Sequence, residues 1–93
     1  MQGSNPITLR IISPEKVMYH EVVDHVVLPG AVGEIGIFHQ HAPFMTYLKP
    51  GNLQIHMQDG RILPVKMRSG LVEFKDDRLT ILTRDQVDAH ECL

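Results

Sequence analysis

The stretch NLQIHMQDGRILPVKM, Asn52 to Met67, decides how this chain folds. Leu53, Ile55 and Met57 alternate with Asn52, Gln54, His56 and Gln58. In an extended backbone that alternation sends one set of side chains into a core and the other outward. Asp59–Gly60 follows, a pair suited to a tight hairpin because both residue types tolerate positive φ. The chain then returns as RILPVKM. Pro64 has no N–H to give to a ladder, so this second strand belongs at a sheet edge or at a bulge.

The same period of two recurs outward from this hairpin. Ile7, Leu9 and Ile11 alternate with Thr8, Arg10 and Ile12, and LTILT (79–83) is rich in β-branched residues. Turn signals separate the strands at short intervals: SPEK (13–16), LPGAVG (28–33), KPGN (49–52), Ser69–Gly70 and KDDR (75–78). Pro50–Gly51 suits a type II turn, with Gly51 at positive φ. The expected fold is all-β, a two-sheet antiparallel β-sandwich of roughly eight to ten short strands. It occupies residues 1–84 as one domain. Residues 85–93 lose the alternation and read as a short tail, the start of a helix capped by Thr83 or Asp85.

Composition excludes several functions. The chain has 93 residues and a formal net charge of −2, with nine Lys and Arg spread along it, so no basic stripe for nucleic acid is present. Its single cysteine, Cys92, has no internal partner for a disulfide. MQGSNPITLR lacks the apolar run of a signal peptide, and no stretch is long enough to span a membrane. A cytoplasmic protein is expected, meeting a membrane only through a partner.

The stretch GEIGIFHQHAPF, Gly33 to Phe44, raises the question of a site. On a strand, His39 and His41 would leave the same face, and Gly33 followed at this spacing by His39 and His41 matches the start of a cupin-type metal motif. That motif then needs a carboxylate. Phe44, Met45, Thr46 and Tyr47 stand where it would be, and no second histidine motif is matched around His56. The alternative of a small cupin-like metal-binding sandwich using His39 and His41 therefore ranks below a simpler one. In that reading the two histidines close a loop, one bonded to backbone and one in solvent. No cofactor and no catalytic residue are expected: the serines lie in no nucleophile motif, and Asp24 and Asp76–Asp77 read as a solvated strand face and a turn.

Taken together, IISPEKVMY, LPG…GEIGI, HAP, LKPG and SGLVEF, in this order, resemble the N-terminal β-sandwich domain of F-type ATP synthase epsilon subunits. The resemblance covers about residues 7–84. It implies a non-catalytic rotor subunit of the central stalk that binds gamma, rests on the polar loops of the c-ring and couples ion translocation to ATP synthesis. It implies a peripheral position at the cytoplasmic face of a bacterial cell membrane. By position, Ala31, Val32, Gly33 and Glu34 are expected to face the c-ring, with Glu34 accepting charge-assisted hydrogen bonds. Ser13, His41 and Thr46 are expected against gamma. The family's C-terminal helical hairpin would begin where this chain stops, which implies either a natural short form without that brake or a chain cut short of it. A stalk role also implies an apolar outer sheet face, on the first strands and around Phe44 and Met45, through which the isolated protein would dimerise weakly.

Overall fold

The computed structural model describes residues 5–84, which form nine strands and no helix. The strands are β1 (Ile7–Ile12), β2 (Val17–Val23), β3 (His25–Gly30), β4 (Gly33–Ile37), β5 (Phe44–Leu48), β6 (Gly51–His56), β7 (Ile62–Met67), β8 (Gly70–Lys75) and β9 (Arg78–Leu82). They make two layers. One has the order β2-β1-β9-β8-β5, and the other places β4 and β6 beside β3 and ends on β7. The layers join at one corner, where Gly30 of β3 pairs with Leu48 of β5. The expected sandwich is present, and residues 85–93, the expected tail, lie outside the described residues.

Alternation builds the core directly. Ile7, Leu9 and Ile11 from β1, Leu79 and Ile81 from β9, and Val72 and Phe74 from β8 meet Val26, Leu28, Ile37, Leu53, Ile55, Leu63, Val65 and Met67 from the other layer. All are buried. Burying each large aliphatic side chain stabilises the fold by about 1.5–3 kcal/mol, so the shared face between the layers holds the molecule together.

Three local features depart from the sequence reading. Strand β1 pairs with β9 in parallel, from Thr8–Arg78 to Ile12–Leu82, while the other pairings are antiparallel. Gly51 is absent from the positive-φ residues, so no type II turn forms there. Its need for glycine is steric: a Cβ would sit 3.2 Å from Cγ of Pro29. Asp24 is no solvated strand residue either, since it is half-buried at the β2–β3 junction and accepts a hydrogen bond from His25.

Two turns follow the sequence closely. Gly60 closes the β6–β7 hairpin at φ 94°, its N–H donating to the Met57 carbonyl, and Asp59 accepts from the Arg61 backbone and side chain. Those donors hold the Asp59 carboxyl below the usual carboxylate range, the Arg61 backbone N–H foremost. Pro64 lies on β7, whose only strand partner among the described residues is β6, as its missing donor requires.

Candidate functional site

One end of the sandwich is built around the β3–β4 hairpin. Gly30 pairs with Gly33, leaving Ala31 and Val32 as a two-residue tip. Gly33 sits at φ 137°, a conformation few L-residues adopt. Gly30 is held so tightly that an added Cβ would lie 2.7 Å from Cδ1 of Ile35. The tip is fastened by backbone hydrogen bonds from Ala31 N–H to the Tyr47 carbonyl (2.9 Å) and from Lys49 N–H to the Pro29 carbonyl (2.8 Å). This fastening uses backbone atoms alone. Val32 is 91% exposed and Glu34 is also exposed. The structure brings the four expected c-ring residues together on one projection.

The three residues expected against gamma are spread out. Ser13 stands at the end of β1, where its hydroxyl accepts hydrogen bonds from the N–H groups of Glu15 and Lys16, each at 3.2 Å. It closes a turn. Thr46 pairs with Val72 and sits half-buried on β5, the strand on which Met45 and Tyr47 are exposed. His41 leads into β5 at the opposite end from Ser13. Its ring packs on Phe44 (5.1 Å between centroids) and edge-on to Phe74 (5.9 Å), and its Nδ1 is 2.8 Å from the Ala42 carbonyl. Three strand steps separate β1 from β5, about 14 Å at ordinary strand spacing.

His39 and His41 do not leave one face, because residues 38–43 do not form a strand. A turn closes there, with the His41 N–H donating to the Phe38 carbonyl at 3.0 Å and Gln40 at φ 65°. The rings diverge. His39 Nδ1 lies 2.7 Å from Asp77 Oδ2, and Asp77 Oδ1 accepts from the Gln40 N–H at 2.8 Å. The loop is therefore tied to the β8–β9 turn through one carboxylate, and the metal-binding alternative gains no support from this geometry. His41 is the member beside a backbone carbonyl, and His39 is anchored to Asp77 rather than left in solvent.

Register exposes a surface that sequence alone could not assemble. On the outer face of the five-stranded layer, Tyr47 lies opposite Leu71, Leu71 opposite Leu82, Leu82 beside Ile12, and Ile12 beside Val17. This is an apolar rung across five strands. Tyr47 (68% exposed), Leu82 and Val17 are exposed, with Ile12 and Leu71 half-buried. Met45 lies beside it, as expected for an apolar face, whereas Phe44 turns inward and packs against the core. The signal for the rung was the alternation in each strand; the pairing order that aligns the residues is non-local.

The family model for the ATP synthase delta/epsilon chain β-sandwich domain matches residues 6–89. The chain belongs to this family. It is 42% identical over 85 residues to the ATP synthase epsilon chain of Desulforamulus reducens, covering 86% of this chain and 64% of that one. It is 35% identical over 79 residues to the chloroplastic epsilon chain of Phaeodactylum tricornutum, covering 85% and 59%. The chain thus spans about three fifths of the length of these delta/epsilon relatives. Among solved structures, a chain of the Euglena gracilis mitochondrial ATP synthase (OSCP/F1/c-ring) superposes with a TM-score of 0.80 at 18% identity, covering 97% of this chain and 61% of that one. A chain from the central stalk/c-ring structure of the Tetrahymena thermophila enzyme gives 0.66 at 16% identity, covering 90% and 67%. At those identities the likeness is one of fold.

Proposed function

We propose that the chain is the β-sandwich of a non-catalytic central-stalk rotor subunit of an F-type ATP synthase. It binds gamma on one surface and meets the polar loops of the c-ring with another, coupling ion translocation to ATP synthesis. The complex holds it peripherally at the cytoplasmic face of a bacterial membrane.

The observation that carries this reading, beside family membership, is the position of Tyr47. Its carbonyl holds the Ala31–Val32 tip, and its exposed ring opens the apolar rung of the five-stranded layer. A projecting tip and an uncovered apolar face therefore adjoin at one rigid corner. The tip, Ala31 to Glu34, is the c-ring surface. Gamma covers the outer face of the five-stranded layer, with Ser13 and His41 at opposite corners of that layer and Thr46 along its β5 edge. Desolvating an apolar rung of this kind supplies affinity.

Size-exclusion co-elution with the gamma subunit of the same genome tests the reading, run with and without EDTA. A stable one-to-one complex indifferent to EDTA is expected. Failure to form a complex, together with stoichiometric metal on the isolated protein, would sink it.

A further inference from the structure

The outer face of the other layer carries a column of rings that the stalk role does not use. His25 and His56 are opposite each other in the β3–β6 ladder, with ring centroids 4.0 Å apart and planes 17° from parallel. Phe38 lies on the far side of His25, at 4.3 Å and 16°. It can do so because Gly36 beneath it has no side chain: a Cβ there would stand 3.0 Å from Cε1 of Phe38. Ile62 extends the row on β7, opposite His56. Phe38 and Ile62 are exposed, and the two histidines are half-buried between them.

The charges around this column are unequal. Asp24 Oδ2 is 2.7 Å from His25 Nδ1, so a proton on His25 is balanced at once by a carboxylate. A cation on His25 is also well placed over the faces of Phe38 and neutral His56. His56 has no such partner. Its Nε2 is buried with no hydrogen bond among the described residues. On the hairpin beside it, Asp59 and Arg61 are paired with each other at 2.7 Å. On the β4 side, Phe38 carries no charge, and His39 beyond it is engaged with Asp77. From β2, Tyr19 reaches the neighbouring Met57 sulfur, with Glu21 two residues along. A second proton would thus place two imidazolium rings face to face at the stacking distance, with one carboxylate between them to share.

We propose that this column is a pH-sensitive switch on the outer face of the β3–β6 layer. With His56 neutral its rings stay stacked. A proton on His56 separates the two imidazoles and releases Phe38 from its seat over Gly36. The face is then an ordered apolar shelf near neutral pH and an open, cationic one in mild acid. Burial and the neighbouring His25 hold the His56 proton affinity below that of a free histidine, with Asp24 partly opposing.

Histidine side-chain NMR on the full chain, titrated from neutral to mildly acidic pH, tests it. The His56 ring is expected to take its proton below the pH at which a free histidine does, and the Phe38 ring resonances should move with that step. In H56Q that step disappears and Phe38 stays fixed throughout the titration. In H25F, which removes the neighbouring imidazole, His56 takes its proton at higher pH. A His56 that titrates like a free histidine would overturn the proposal. So would Phe38 resonances that do not follow the His56 step, or that still move in H56Q.

Discussion

At one end of the sandwich the Ala31–Val32 tip is fastened by backbone alone, through Gly30, Gly33 and the Tyr47 and Pro29 carbonyls. At the other end side chains do the fastening. Asp77 ties His39 and the Gln40 backbone, Asp59 ties Arg61, and Asp24 ties His25. The difference separates a surface available to a partner from one that satisfies itself. Backbone fastening leaves Val32 and Glu34 facing solvent on a rigid support, which keeps the entropy cost of docking low. Carboxylates and imidazoles that already bond each other have little left to offer a second molecule.

Breaking the backbone-fastened end should have the largest effect. Gly30→Val puts its Cβ 2.7 Å from Ile35 and 3.0 Å from the Gly33 carbonyl, in a place where backbone has to move. Overpacking of this kind is expected to lower stability by about 2–3 kcal/mol, read as a reduced urea midpoint with unchanged slope. An unchanged midpoint would mean the hairpin tip is softer than its contacts indicate. Next in size is Tyr47→Ala. The exposed ring makes little demand on folding, so stability should change by less than about 0.5 kcal/mol. Under the proposed stalk role, gamma binding should weaken by about 1–2 kcal/mol, the loss typical of an aromatic anchor, measured by calorimetric titration. Equal losses of stability and binding would make Tyr47 a structural residue and remove the corner on which the proposal stands.

The side-chain-fastened end can be probed by pH. His56 has its pKa lowered by burial first and by His25 second, so the unfolded chain binds that proton more readily than the folded one. By linkage its contribution is present above the ordinary histidine value of about 6.5 and is lost as the pH falls through the lower folded value. Urea midpoints should therefore fall from pH 7.5 to pH 5, and H56Q should flatten that slope. A slope unchanged in H56Q would move the acid sensitivity elsewhere.

How far the sequence carried the reading differs between these regions for a physical reason. The hairpin tip was legible because it is local: Gly30, Gly33 and Glu34 sit within five positions, and their spacing announces a tight turn. Alternation likewise named Leu53 and Ile55 as core, and Pro64 as an edge residue, from neighbours alone. The rung from Tyr47 to Val17 was not legible, because it depends on β1 lying parallel to β9 across about 70 residues of chain. Nor was the column. His56 looked like a polar residue in an alternating strand, and register alone stacks His25 on it. The pair that did attract notice, His39 and His41, would share a face only on a strand; a turn at Gln40 intervenes, and the two close a loop as the simpler reading expects.

The smallest expected effect sharpens the comparison most finely, within a single turn of the side-chain-fastened end. Asp76 and Asp77 both occupy the left-handed region, at φ 53° and 59°, between the paired residues Lys75 and Arg78. That is the geometry a two-residue hairpin turn requires, and glycine meets it with less strain than aspartate. The two residues are nevertheless unequal. Asp77 repays its strain with its bonds to His39 and Gln40 and with its carbonyl, which accepts from Thr8 N–H at 2.9 Å. Asp76 is exposed, and its side chain serves the turn only by tolerating it. Asp76→Gly is therefore expected to raise stability by about 0.5 kcal/mol, whereas Asp77→Gly should lower it by about 1 kcal/mol as the Gln40 hydrogen bond and the His39 contact outweigh the relieved strain. Opposite signs in urea titrations of the two variants would show that this end is held by one carboxylate rather than by the turn's backbone. The same sign in both would return the credit to the turn, and the two ends of the sandwich would then be fastened alike.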